Sequence, residues 1–215
     1  MRLHETAFLM LLPALLPGAE TQRWCEASPG IRQELKGLQS PALQGQGREQ
    51  AQKDIVQQLL QEHPDDLFIH LRYQRTFRGH TEAERQALID RYQKLEQSHP
   101  GDSRYQFLYA EALLDKDTPQ AMQLAQKIIT ADPGFARAHL LLADAFSYGK
   151  FADRLNARKE LESFFKACPA ALDSQALSLA QRYGGQELAA RLAPELRKRL
   201  STETDQELLK QWEVV

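Results

Sequence analysis

At 215 residues the chain is long enough for one domain with a sizeable core, or for one extended repeat array. A content of 42% hydrophobic and 26% charged residues excludes wholesale disorder, and a formal net charge of −2 gives no general pull toward nucleic acid or anionic lipid. Leu, Ala, Gln, Glu, Arg and Lys are abundant, glycine is sparse, and no stretch alternates Val, Ile and Thr as a strand would, so the expected class is all-α.

The N-terminal residues differ from the rest. MRLHET carries a positive charge and AFLMLLPALL follows as an apolar run from Ala7 to Leu16, with a break and a small residue, Ala19, after it. That run is shorter than the ~20 residues needed to cross a bilayer and has the length of a secretory h-region. Residues 1–19 therefore read as a signal peptide, despite Glu5 and Pro17, and the mature protein is expected without a stable membrane span. Export to a bacterial periplasm or cell envelope follows; the competing reading is a buried or amphipathic N-terminal helix in a cytoplasmic protein. QRWC lacks the small residue that a lipid-attachment box places before its cysteine.

Residues 20–47 read as a leader or linker with one short helix, SPGIRQELKGL, started by Ser28 and Pro29. The two cysteines, Cys25 and Cys168, form no C-x-x-C motif. Two unpaired thiols are the default expectation, since Cys25 lies in the leader and Cys168 ends a helix before a proline. An oxidising compartment would permit a bridge between them.

From residue 48 a beat sets in. EHPDD, SHPGD, ADPGF and ACPAA place Pro64, Pro100, Pro133 and Pro169 at spacings of 36, 33 and 36. GREQAQKDIVQQLLQEH before Pro64 reads as the second helix of a pair. LFIHLRYQRTF puts Phe68, Leu71 and Arg75 on one face and Ile69, Tyr73 and Phe77 on another. Thr81 and Glu84 form a capping box for the next helix, through Leu88, Ile89, Tyr92 and Leu95. Ser103 and Gln106 are expected to do the same ahead of YQFLYAEALL, and Thr118 to cap a helix with Pro119 at its first position. FARAHLLLADAF, a connecting SYGKFADRLN and ARKELESFFKAC make the next pair. LDSQALSLAQRY, a Gly184-Gly185 turn and QELAARLAPELRKRL make the last, with 201–215 as a capping helix or tail.

A helix pair of about 34 residues with a proline at each end resembles the tetratricopeptide repeat, over residues 48–200. Tyr109-Ala110 and Leu142-Ala143 stand where that family has its large-small pair, Ala121, Ala125 and Ile128 match its second helix, and Phe77, Leu113 and Phe146 its late aromatic position. The chain departs from the pattern in having His70 and His139 where an early Trp is usual. YGKFADR, KACP and HPDD also resemble repeat segments of exported bacterial proteins that carry a thioredoxin-like domain; this chain is expected to be the repeat portion alone or a relative that lacks the redox half. The resemblance implies a solenoid of about four and a half helix pairs, acting as a scaffold for a protein or peptide partner.

Other classes find less material. The six histidines form no H-E-x-x-H or paired-cysteine set, and no nucleophile elbow, phosphate loop or dinucleotide fingerprint occurs, so neither catalysis, a metal nor a cofactor is expected. LRYQRTFR and RLAPELRKRL mix basic and aromatic residues, but Tyr73 and Phe77 should point into a helix pair, so no nucleic-acid partner is expected. An accessory role in a thioredoxin-like redox system is the alternative that the looser resemblance implies. In such a solenoid the first helices line the concave face. Aligned on the prolines, the expected partner-binding residues are Phe68, Leu71, Arg75 and Arg78, then Arg104, Phe107 and Glu111, then Arg137, Leu140 and Asp144.

Overall fold

A proline ring keeps the residue before it out of the helical region, and four helices of this chain end on that rule. The computed structural model describes residues 24–38, 47–77, 81–147, 149–169, 171 and 174–201. The expected signal peptide, Arg78 and nearly all of 201–215 lie outside them. Within them run α1 (Pro29–Gly37), α2 (Arg48–Glu62), α3 (Leu67–Phe77), α4 (Glu82–Ser98), α5 (Ser103–Leu113), α6 (Thr118–Ala131), α7 (Arg137–Ala145), α8 (Arg154–Ala167), α9 (Ser174–Leu179) and α10 (Gly185–Leu200). A 3₁₀ turn at Gly149–Phe151 precedes α8, and a π-helical turn, Ala180–Gly184, joins α9 to α10. Among the described residues there is no strand.

The residues before the four prolines are His63, His99, Asp132 and Cys168. Their φ/ψ values are −129°/65°, −129°/63°, −136°/82° and −127°/63°, four copies of one helix stop. Each turn is then closed by an amide three residues on. Asp66, Asp102, Phe135 and Ala171 donate to the carbonyls of His63, His99, Asp132 and Cys168 at 3.2, 3.2, 3.0 and 3.2 Å.

Helix starts follow carboxylates more than hydroxyls. The Thr81–Glu84 capping box is present in both directions. For α5, however, the cap is Asp102, whose Oδ1 accepts from Arg104 N at 2.9 Å, and Ser103 is already helical. For α6 the cap is Asp117, accepting from Gln120 N at 3.1 Å, so Thr118 is the first helical residue. α8 begins at Arg154, earlier than the sequence pattern indicates, because Asp153 accepts from the amides of Leu155 and Asn156. At the last turn Gly185 takes φ +68°, and Gly184 allows a close approach: a Cβ there would stand 2.7 Å from Leu188 Cδ2. The Gly185 conformation favours glycine, and at Gly184 a larger residue would make the Leu188 side chain shift.

Consecutive helices pack together from α2 through α8, and the odd-numbered helices also touch in succession, α1 to α3, α3 to α5, α5 to α7 and α7 to α9. The odd helices thus form one layer and the even helices pack against it. Small residues let the backbones approach: Ala110, Ala121, Ala125 and Ala143 are wholly buried. Gln74, itself buried, donates across the layer from α3 to the Leu108 carbonyl of α5 at 2.7 Å. One apolar cluster runs from Trp24 and Ile31 through Tyr92 and Phe107 to Leu142. A second gathers Leu140, Ala143, Leu161, Phe164, Phe165 and Leu188 around Cys25 and Cys168.

The cysteines correct the default expectation: they are paired. A Cys25–Cys168 disulfide joins the segment before α1 to the last proline turn, across 143 residues of sequence. The residue that ends α8 and the residue beside Trp24 meet because the described segment 24–38 packs against the helices.

Candidate functional site

The layer of odd helices brings the expected wall residues into register. Matched on the prolines, Leu71 of α3, Phe107 of α5 and Leu140 of α7 fall at one position, and all three are buried. One turn earlier on each helix stand Phe68, Arg104 and Arg137. Phe68 and Arg104 are half-buried, whereas Arg137 is 2% exposed with its guanidinium 4.6 Å from the centre of the Phe68 ring. One turn later come Arg75, Glu111 and Asp144: exposed, buried and half-buried in that order. Arg78 lies outside the described residues. Five of the nine described wall residues are therefore covered rather than open to solvent.

The segment before and through α1 packs at one end of this layer, where it meets Phe135 and Arg137. Trp24, 8% exposed, lies with its ring 4.7 Å from that of Phe135, which is 5.3 Å from the Phe107 ring. Arg137 Nη2 donates to the Cys25 carbonyl at 3.4 Å. Further along, Glu34 of α1 meets His63 Nε2 at 3.3 Å, and Gln52 of α2 donates to the Leu38 carbonyl at 2.9 Å. Residues 24–34 thus run beside the proline turns from the fourth back to the first. Sequence reasoning missed Trp24, Phe135 and the paired cysteines as parts of this face. The available signal was the Trp-Cys doublet in an otherwise polar leader.

At the other end of the wall, Gln175 of α9 links the exposed charges. Its Oε1 accepts from Arg75 Nη2 at 3.2 Å and its Nε2 donates to Asp144 Oδ2 at 2.8 Å. Arg75 and Gln175 are 100 residues apart, so the first-helix layer bends until α3 and α9 come within reach.

The turns are tied to the next pair by polar contacts. Tyr105 donates its hydroxyl proton to Asp65 Oδ1 at 2.6 Å, and Arg104 donates to the Asp65 carbonyl at 3.1 Å. Burial, then the bond to the Asp65 carboxylate, pushes the Tyr105 hydroxyl up to about 12. Arg104 also grips Asp102, and its hydrogen bonds hold that carboxyl below its ordinary value. His70 is a packing residue: buried between Tyr92 and Tyr105, with Nε2 2.7 Å from the Pro64 carbonyl and Nδ1 3.2 Å from the Tyr92 hydroxyl. Burial lowers its pKa, so it sits neutral, donating from Nε2. His139 instead meets Glu160 at 2.7 Å.

A separate open cleft of about 450 Å³ lies between α8 and α10, lined by Lys159, Ser163, Lys166, Arg191, Phe165 and Leu192 among others. Among the described residues no group of three or more His, Cys, Asp or Glu side chains could hold a metal ion, and no helix is long and apolar enough to cross a membrane. No family model, curated protein or solved structure matches this chain.

Proposed function

We propose that this chain is a tetratricopeptide-like repeat solenoid and serves as a non-catalytic scaffold, taking a protein or peptide partner on the face formed by its first helices, in the cell envelope. The observation that carries the reading is the fourfold copy of the proline turn, with the same dihedral angles before each proline and the same closing hydrogen bond after it. A unit repeated in this way buries its apolar faces against its neighbours and leaves an extended surface, which such arrays use for binding. The disulfide supports the export reading, because structural disulfides persist in oxidising compartments.

Affinity capture from an envelope extract with the mature, disulfide-bonded protein tests the scaffold. Charge reversal at the exposed Arg75, as Arg75→Glu, should weaken a specific partner's retention without loss of helicity, since exposed charges steer encounter and choice of partner. Equal retention by a folded Arg75→Glu protein would remove this face as the site. Export is tested by the mature N-terminus, expected near Glu20, which leaves Trp24 and Cys25 in the mature chain. Recovery of protein that still starts at Met1 would remove it.

A further inference from the structure

We infer that the first-helix wall is a peptide groove whose resident occupant is the chain's own segment 24–38, held in place by Cys25–Cys168, and that a partner must carry similar chemistry and displace it. The inference rests on the scaffold reading and names what that scaffold would bind: an aromatic anchor followed by a short amphipathic helix.

The path of the segment argues for it. An N-terminal cap on an array needs to touch only the first pair, and α1 does so through α3 and His63. Trp24 and Cys25 go much further, past two pairs, to Phe135, Arg137 and Cys168. The segment therefore lies along the array as a bound peptide would, with its aromatic ring against Phe135, which in turn meets the Phe107 ring.

The composition of the segment argues that it is exchangeable. α1 has nine residues, too few to be stable alone, and Ile31 is its buried side chain. Its grip comes from Trp24, Ala27, Ile31 and Leu38, together with attachment at both ends: the chain into α2 and the disulfide to the fourth turn. Two tethers give an effective concentration far above what such contacts would sustain in a free peptide. With one tether cut and the ring removed, the groove becomes available to a second segment of the same kind.

The test uses the full mature chain and a labelled synthetic peptide of residues 24–38 carrying Cys25→Ser, so that no mixed disulfide forms. It is titrated against the disulfide-bonded wild type and a Trp24→Ala, Cys25→Ser, Ile31→Ala variant. The variant should bind the peptide about 100-fold more tightly, or more, than the wild type, and adding Phe107→Ala should weaken that binding. Equal binding by both, or no binding by a variant with wild-type helicity, would overturn the inference and make 24–38 a fixed part of the core. Should the variant not fold, hydrogen exchange on the wild type decides. A thiol reductant should speed exchange at 29–37 while α5 and α7 stay protected; loss of protection throughout would overturn it. A variant that binds the peptide but retains no partner from extract would sink the scaffold reading while leaving the self-occupied groove standing.

Discussion

Removing the disulfide should cost this protein a large share of its stability. The bridge closes a 143-residue interval, and in the chain-entropy account a loop of that size loses about 17 cal/mol/K in the unfolded state, or ~5 kcal/mol at 25 °C. Residual compactness of the unfolded chain reduces the effect, so the expected cost is between about 3 and 5 kcal/mol. For a protein of this length each kcal/mol moves the Tm by about 2–4 °C, giving a drop of roughly 6 to 20 °C. The assay is thermal unfolding by circular dichroism at 222 nm, about the usual helix wavelength, on oxidised protein, on protein held in a phosphine reductant, and on Cys25→Ala. The last two should melt at nearly the same temperature, since both lose the same cross-link. Two titratable thiols in the oxidised protein, or a reductant effect under about 1 °C, would refute the reasoning, because the argument makes the cross-link worth several kcal/mol.

Three further outcomes follow from the packing. Ala143→Arg puts a charge at a wholly buried position in the cluster with Leu161 and Phe164; it should cost about 3 kcal/mol or more and lower the Tm, and an unchanged melting curve would mean the helix contact is not there. Asp117→Ala removes the acceptor for Gln120 N at the start of α6 and should cost about 1 kcal/mol, read from denaturant midpoints at constant slope. His70 has a folded pKa below its ordinary value of 6.5, so the unfolded chain takes up the proton first. Its contribution to stability is complete above that value and is lost as pH falls toward the folded pKa, and His70→Gln should flatten the Tm against pH in that window.

The helix pairs were legible because their signals are local. Pro64, Pro100, Pro133 and Pro169 stop helices through the geometry of the preceding residue, which no distant contact has to supply. Thr81 with Glu84 was legible for the same reason. The misplaced caps share one cause. Asp102 and Asp117 each stand directly before a hydroxyl residue, and an ionised carboxylate at a helix N-terminus makes a charge-assisted bond that a neutral hydroxyl does not match. The disulfide and the burial of the wall carry no such local mark: Cys25 finds Cys168 only after the array has brought the fourth turn to the leader.

The burial of the wall and the course of the leader have a common origin. Matched on the four prolines, the large apolar side chains Leu71, Phe107 and Leu140 fall at the same position in α3, α5 and α7 and are buried, and Phe135 adds a ring beside Phe107. Left facing water, these side chains would add to exposed apolar surface, which folded chains cover or use. The segment before α1 carries an aromatic group, Trp24, beside Cys25. Trp24 packs on Phe135, and Arg137 serves both sides, its guanidinium on the Phe68 ring and its Nη2 on the Cys25 carbonyl. At the charged end of the wall Arg75 and Asp144 are joined through Gln175.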